Sequence, residues 1–389
     1  MKSREYKADI AILGGGIAGL WLLNLLCDRG YNAVLIEKNT IGGHQTLASQ
    51  GMIHGGIKYA LGGLLSDASE TIAAMPGRWQ SCLDGNGTID LRGVRTLSRD
   101  YFLFSDNRLS SRVTAFFGSK AVEGRVEPVD REDRPAVLRD HAFKGIVYRL
   151  QDVVLDTGAL IDQLANRYSD RICIGKASLL SEDSLVTGLV TEAGEKISAS
   201  LYILASGSGN GPMIDQLGLP VSQQLRPLNQ VVVHGDLPEL YAHAVSLRNG
   251  DKPRLTITSH KTSDSGLAWY LGGQLAETGV ERSDETQIAK AEKELCDIFP
   301  WLDFSNCTFT TFRVDRAEPA QEDQQRPDAP YARRFGNTLV CWPTKLTLAP
   351  MLGDMVLQEI DFKGAANSKV AWQEPLHFGT PPWDLPHEA

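Results

Sequence analysis

The chain has 389 residues, 39 Lys and Arg against 48 Asp and Glu for a net charge of −9, and an apolar fraction of 42%. This length leaves room for two or three lobes, and the apolar share supports packed cores over disorder. An acidic chain without a basic, aromatic-studded block disfavours nucleic acid as a partner.

The basic start (Lys2, Arg4, Lys7) and the mostly apolar run from Ile10 to Cys27 imitate a signal peptide. Gly14-Gly15-Gly16 interrupts that run, Asp9 and Asp28 bracket it, and no small-residue cleavage site follows, so no export signal or transmembrane segment is expected. Instead, Asp9–Leu13 reads as a buried strand, Gly14–Gly16 as a turn, Ile17–Arg29 as a helix stopped by Gly30, and Ala33–Glu37 as a second buried strand. This is one βαβ unit.

Its turn carries Gly14-x-Gly16-x-x-Gly19. The first glycine allows a tight turn, the second a close approach to a pyrophosphate, and the third close packing of helix on strand. The helix opened by Ile17 and Ala18 offers free amides to the phosphates. Glu37, followed by Lys38, puts a carboxylate where a ribose diol is bound and a 2′-phosphate repelled. An adenine dinucleotide is expected, and these residues leave both FAD and NAD open.

The next stretch runs His44-Gln45-Thr46-Leu47-Ala48-Ser49-Gln50-Gly51-Met52-Ile53-His54-Gly55-Gly56-Ile57-Lys58-Tyr59. Its glycines and small polar residues let backbone come close to a flat ring, whereas an NAD-dependent dehydrogenase would continue into regular βα units. Here the chain resembles the FAD-dependent oxidoreductases of the D-amino-acid oxidase and glycine oxidase class. Its motifs are closest to flavin-dependent glycerol-3-phosphate dehydrogenases (Ile53 to Gly56 with Tyr59) and L-2-hydroxyglutarate oxidases (His44 to Thr46, Ser49 to Tyr59).

Three later pieces resemble the same class: Val154-Leu155-Asp156 heading a helix Thr157–Tyr168, the strand Leu201–Leu204 ending in Ala205-Ser206-Gly207, and Leu348-Ala349-Pro350-x-x-Gly353. The resemblance implies FAD held by non-covalent contacts. Its contacts would come from the glycine turn, from Gln45, Thr46, Ser49, Gln50, Gly51 and Met52, with His44 beside them, and from Val154, Ala205, Ser206 and Gly207. The C-terminal loop would add Lys345, Leu346 and Thr347. The chain departs from the class in two places: Cys341-Trp342-Pro343-Thr344 replaces a glycine-rich loop entry, and Lys58 stands where the glycerol phosphate enzymes carry Arg.

In the middle of the chain, Gln230–His234, Arg254–His260 and Trp269–Gly273 alternate apolar and polar positions as half-buried strands do, and Asp284–Phe299 has helical periodicity stopped by Pro300. The expected fold is α/β (α+β overall). A Rossmann-like FAD-binding domain is made from residues 1–90, 145–222 and 318–389, and a substrate domain on a mixed or antiparallel sheet from 91–144 and 223–317.

Such an enzyme would oxidise a C–H bond beside an amine or hydroxyl of a small anionic substrate: an amino acid, a 2-hydroxy acid or a glycerol-phosphate-like molecule. Arg313 resembles the class's substrate arginine, with Arg316 as its competitor, because a guanidinium grips a carboxylate or phosphate with two parallel hydrogen bonds. Lys345 is the second candidate cation, Lys58 and Tyr59 are candidates to cap the flavin face, and His54 and His260 are the candidate bases. Oxygen, a quinone or another electron carrier would reoxidise the flavin. A flavin monooxygenase using NAD(P)H, to which Gly353-Asp354 points, and a non-catalytic electron-transfer or assembly partner are the alternatives. Six cysteines without CxxC or His-rich spacing suggest neither a metal site nor a disulfide scaffold, and a cytoplasmic home is expected.

Overall fold

In the computed structural model, residues 5–56, 72–105, 126–245, 253–322, 325–364, 372 and 374–386 are described. The candidates Lys58 and Tyr59 lie outside the described residues.

The apolar runs on either side of the glycine turn become the strands Glu5–Leu13 and Ala33–Glu37, buried from Asp9 to Leu13 and throughout the second. Strands covered on both faces require such unbroken apolar runs. They pair in parallel, Ile10 with Ala33 through Leu13 with Ile36, and the helix Ile17–Asp28 crosses between them, buried from Ile17 to Leu26. Gly30 then leaves the helix with φ +83°. The parallel layer extends to Ile172–Ile174 on one side and to Lys196–Leu204 and Thr338–Trp342 on the other. The hairpin Ala177–Glu182 and Leu185–Thr191 and the strand Tyr331–Phe335 complete an eight-stranded sheet. All five parallel strands point their carboxyl ends the same way, and the glycine turn and Ala205 emerge there. Ligands bind at that edge in open α/β sheets.

A second eight-stranded sheet has the order Thr308–Pro319, Gln223–His234, Leu267–Gly272, Leu255–Lys261, Ala242–Val245, Tyr101–Ser105, Ile146–Leu150, Val126–Pro128. Its neighbours are antiparallel except Ala242–Val245 with Tyr101–Ser105, so the sheet is mixed. Alternation sorts its faces. Val231, Val233, Ile257, Trp269 and Leu271 pack with Ala291, Leu295 and Ile298 of the helix Asp284–Ile298. Gln230, Thr258 and Tyr270 face the first unit, where they meet Ala48 and Gln50. The fold is therefore the expected mixed α/β architecture of a Rossmann-like unit beside a mixed sheet. Among the described residues, no helix is long and apolar enough to cross a membrane.

Candidate active site

The glycines of the turn are held by different constraints. Gly14 has φ +113°, and a Cβ there would fall 2.6 Å from the Ala205 carbonyl oxygen; a Cβ on Gly19 would fall 1.9 Å from that of Gly14. Among the described residues, a Cβ on Gly16 would meet only Thr46 Oγ1, at 3.1 Å, which leaves its backbone approachable. Thr46 Oγ1 accepts from the Ile17 amide at 3.0 Å and so stands, next to Ala18, on the helix N-terminus. Glu37 is buried, and its carboxylate accepts from Gly15 N at 2.6 Å and from Asn39 N at 2.9 Å, while Lys38 is exposed. On the opposite wall, Ser206 Oγ donates to Leu13 O at 2.8 Å and Gly207 takes φ +57°.

Asn210, which sequence reasoning missed, is fully buried and holds this wall: its Oδ1 accepts from Ser206 N and its Nδ2 donates to Cys341 O. A buried asparagine directly after a Ser/Gly loop was the available signal.

The stretch after the second strand is pinned beneath the second sheet. Gln45 Oε1 accepts from Ala317 N at 3.1 Å, and Gln50 Nε2 donates to Tyr270 O at 2.9 Å and Thr256 O at 3.2 Å. The Tyr270 hydroxyl lies 2.7 Å from Gln230 Oε1 and 3.0 Å from Ala48 O. Gly51 turns with φ +69°, where a Cβ would fall 2.1 Å from Leu155 O, and Met52 pairs with Val154. Among the described residues Ser49 Oγ is buried without a hydrogen-bond partner, a hydroxyl suited to a ligand. His44 is exposed. His54 is buried with its amide on Thr347 Oγ1 at 3.1 Å, and Gly55 N donates to the buried Asp152, a second residue missed at the sequence level.

Thr347 also accepts from Trp79 Nε1 through its carbonyl, so it joins the C-terminal loop to the flavin stretch, with Leu346 half-buried beside it. The loop entry without glycines makes its turn on Thr344, at φ +59°, with Lys345 N donating to Pro343 O at 2.7 Å. Positive φ on a β-branched residue is rare and strained. Lys345 Nζ reaches the Asp328 carbonyl at 3.4 Å. Asp354, whose Gly353-Asp354 context resembles a monooxygenase motif, lies in the helix Ala349–Gln358 and forms a two-pronged pair with Arg78.

Strand register separates the two candidate arginines. Arg316 lies opposite Arg226 and Phe312 opposite Gln230, so Arg316 shares the face that carries Gln230 and Tyr270. Arg313 has the other parity. Its guanidinium donates to Val280 O, Arg282 O and Asp284 Oδ1 at 2.7, 2.6 and 3.2 Å, at the start of the helix Asp284–Ile298, half-exposed. Arg313, expected to meet the substrate, is thus placed on the face away from Gln230 and Tyr270, because an odd step along a strand turns a side chain to the opposite face. Arg316 donates to Arg226 O and lies 3.7 Å from Glu277, while Arg226 makes two bonds, 2.7 and 2.8 Å, to the fully buried Glu318. Arg226, Glu277 and Arg316, together with Gln224, Leu225, Pro227 and Val280, line a cavity of about 320 Å³.

His260, the second candidate base, is sealed in the core. It is 2% exposed, its Nε2 is 2.9 Å from Thr258 Oγ1, and its ring stacks on Trp383 with centroids 3.6 Å apart. Burial pushes its pKa down to about 3, so it is neutral at physiological pH and not a base poised near neutrality. The unfolded chain, with an ordinary histidine, binds the proton first. Stability is then fully present above about pH 6.5 and falls as pH drops from there toward 3, by on the order of 4 kcal/mol. Replacing His260 with Phe, which keeps the stacking, is expected to flatten the acid limb of a melting-temperature profile between pH 4 and 6.5. An unchanged limb would contradict it.

A GxGxxG βαβ unit whose next segment is clamped beneath a second, mixed sheet defines a dinucleotide-dependent oxidoreductase of the flavin type. Residues 9–354 match the model of the family described as FAD dependent oxidoreductase (DAO), and the chain belongs to that family. FAD is the cofactor of this family, and the open Gly16 side, the Glu37 carboxylate and the bare Ser49 hydroxyl fit it.

The protein described as "Probable FAD-dependent oxidoreductase PA4991" of Pseudomonas aeruginosa is 46% identical over 386 residues, 97% of this chain and 98% of its own. Its crystal structure superposes with a TM-score of 0.85 and 40% identity, covering 98% of this chain and 99% of that one. Glycine oxidase from Geobacillus kaustophilus shares the fold at TM-score 0.66 and 17% identity over 91% of this chain and 94% of that one. L-alpha-glycerophosphate oxidase from Mycoplasma pneumoniae, solved with FAD bound, does so at 0.67 and 14% over 95% and 99%.

Proposed function

We propose that this enzyme oxidises a small anionic donor at a carbon bearing an amine, with the donor's anion held by Arg316 beside Arg226. The observation that carries this reading is the arginine pair: two guanidinium groups opposite each other on adjacent strands, on the face turned to the flavin stretch, with the buried Glu318 accepting from Arg226 and Gln224. A guanidinium beside a like charge and already partly desolvated has much to gain from an anionic ligand.

When bound, FAD supplies a two-electron acceptor for the hydride. The protein's part is to hold the donor, keep water out and leave the amine uncharged, since a neutral amine supplies its own lone pair as the C–H bond breaks and leaves an iminium cation. An alcohol needs a base to take the hydroxyl proton. With His260 sealed and neutral, His54 is left of the two candidate bases, and the amine donor, which needs a base less than the hydroxyl donor does, is favoured.

In this reading residues 1–90, 145–222 and 318–389 bind FAD, with Gly14, Gly16, Ile17, Ala18, Gly19, Glu37, Thr46, Ser49 and Gly51 in contact with it, and residues 91–144 and 223–317 bind the donor. His54 and Lys345 remain candidates for contact with flavin or donor. Oxygen, a quinone or another carrier returns the enzyme to its oxidised state, and the unpaired cysteines are consistent with a cytoplasmic location.

The test is anaerobic mixing with amino acids and the 2-hydroxy acids of the same skeletons. Bleaching of the flavin by an amino acid, with its hydroxy partner slower by about 100-fold or more, is the expected result. Faster bleaching by the hydroxy acids would overturn the amine assignment.

A further inference from the structure

The C-terminal residues touch both halves of the site. His377 O accepts from Ile41 N at 2.7 Å, Gly379 N donates to Ile41 O at 2.9 Å, and Phe378 bridges to Ile41 in parallel. Ile41 precedes Gly42, whose amide donates to Gly15 O in the glycine turn at 2.9 Å. The segment lies so close to this loop that a Cβ on Gly379 would fall 2.3 Å from Gly43 Cα.

A few residues on, the short turn Pro382–Asp384 reaches the second sheet. Trp383 is 5% exposed and packs with Val232, Ala268 and Tyr270, stacked on His260 at 3.6 Å and 14° and edge-on to Tyr270 at 5.5 Å. Asp384 Oδ1 accepts from Ser263 N at 2.7 Å and anchors the end. Tyr270 is the side chain whose hydroxyl meets Ala48 of the flavin stretch. One indole thus braces the tyrosine that holds the flavin stretch, while the same segment, six residues earlier, is hydrogen-bonded to the loop behind the pyrophosphate turn.

We propose that residues 376–386 form a strap that sets the flavin-binding stretch against the second sheet, with Trp383 as its positioning residue. Its docking organises the FAD site from outside, through Tyr270 and Ile41, without touching the reacting atoms. The inference rests on the FAD assignment above.

The test is the FAD dissociation constant of apoprotein, read from flavin fluorescence, for wild type, Trp383→Ala, Trp383→Phe and Gly379→Ala, together with each apoprotein's melting temperature. Trp383→Ala is expected to weaken FAD about tenfold, Trp383→Phe to stay within about twofold of wild type because a flat ring still stacks, and Gly379→Ala to weaken FAD by lifting the strap off Gly43. Melting temperatures should change far less than affinity. Gly379→Ala keeps the test open should Trp383→Ala fail to fold. Unchanged FAD affinity in both alanine variants, or losses in melting temperature that account for the weakened binding, would overturn the strap and leave the FAD assignment standing. Wild type that binds no FAD would remove both.

Discussion

Gly19→Ala is expected to purify without flavin. The added carbon would lie 1.9 Å from the Gly14 carbonyl oxygen, inside any contact distance, so either the helix must retreat from the strand or the turn must open. Gly14 cannot yield, because Ala205 and Ser206 stand 2.6 Å from where its own Cβ would be. Overpacking of this kind costs about 3 kcal/mol, and where the distortion falls on the phosphate-binding amides it appears as a loss of affinity on the order of 100-fold. Titration of apoprotein with FAD measures it directly. Affinity within about threefold of wild type would show that the turn tolerates what its geometry forbids.

The second large effect separates two arginines three residues apart. Arg316→Ala is expected to lower kcat/KM for the preferred anionic donor by on the order of 100-fold, mostly through KM, because it removes a partly desolvated cation from the face turned to the flavin stretch. Arg313→Ala is expected to stay within about threefold of wild type, since its half-exposed ion pair with Asp284 contributes little. Steady-state kinetics on the two variants with one donor decide the matter. The opposite order of effects would return the substrate role to Arg313.

The glycine turn was legible from the sequence because its constraints are local: the three glycines, the strands on either side and Glu37 all lie within one βαβ unit. The stretch from Gln45 to Met52 was legible as a place for a flat ligand, although nothing in it announces that Gln50 is clamped by Tyr270, 220 residues away. The choice between Arg313 and Arg316 was not legible, since it depends on how Thr308–Pro319 registers against Gln223–His234. His260 looked like a base in an alternating strand. What seals it is Trp383, carried by a C-terminal segment without strand or helix periodicity. Asp354 matched a motif in sequence but is claimed by Arg78, on a helix that no motif connects to it.

The most direct test of the whole account is the absorbance spectrum of the purified protein before and after anaerobic addition of an anionic amine donor, with NADH added to a parallel sample. The account predicts flavin bands that the donor bleaches and NADH leaves unchanged within the same time. Bands bleached by NADH alone, or a colourless protein that takes up no added FAD, would contradict it.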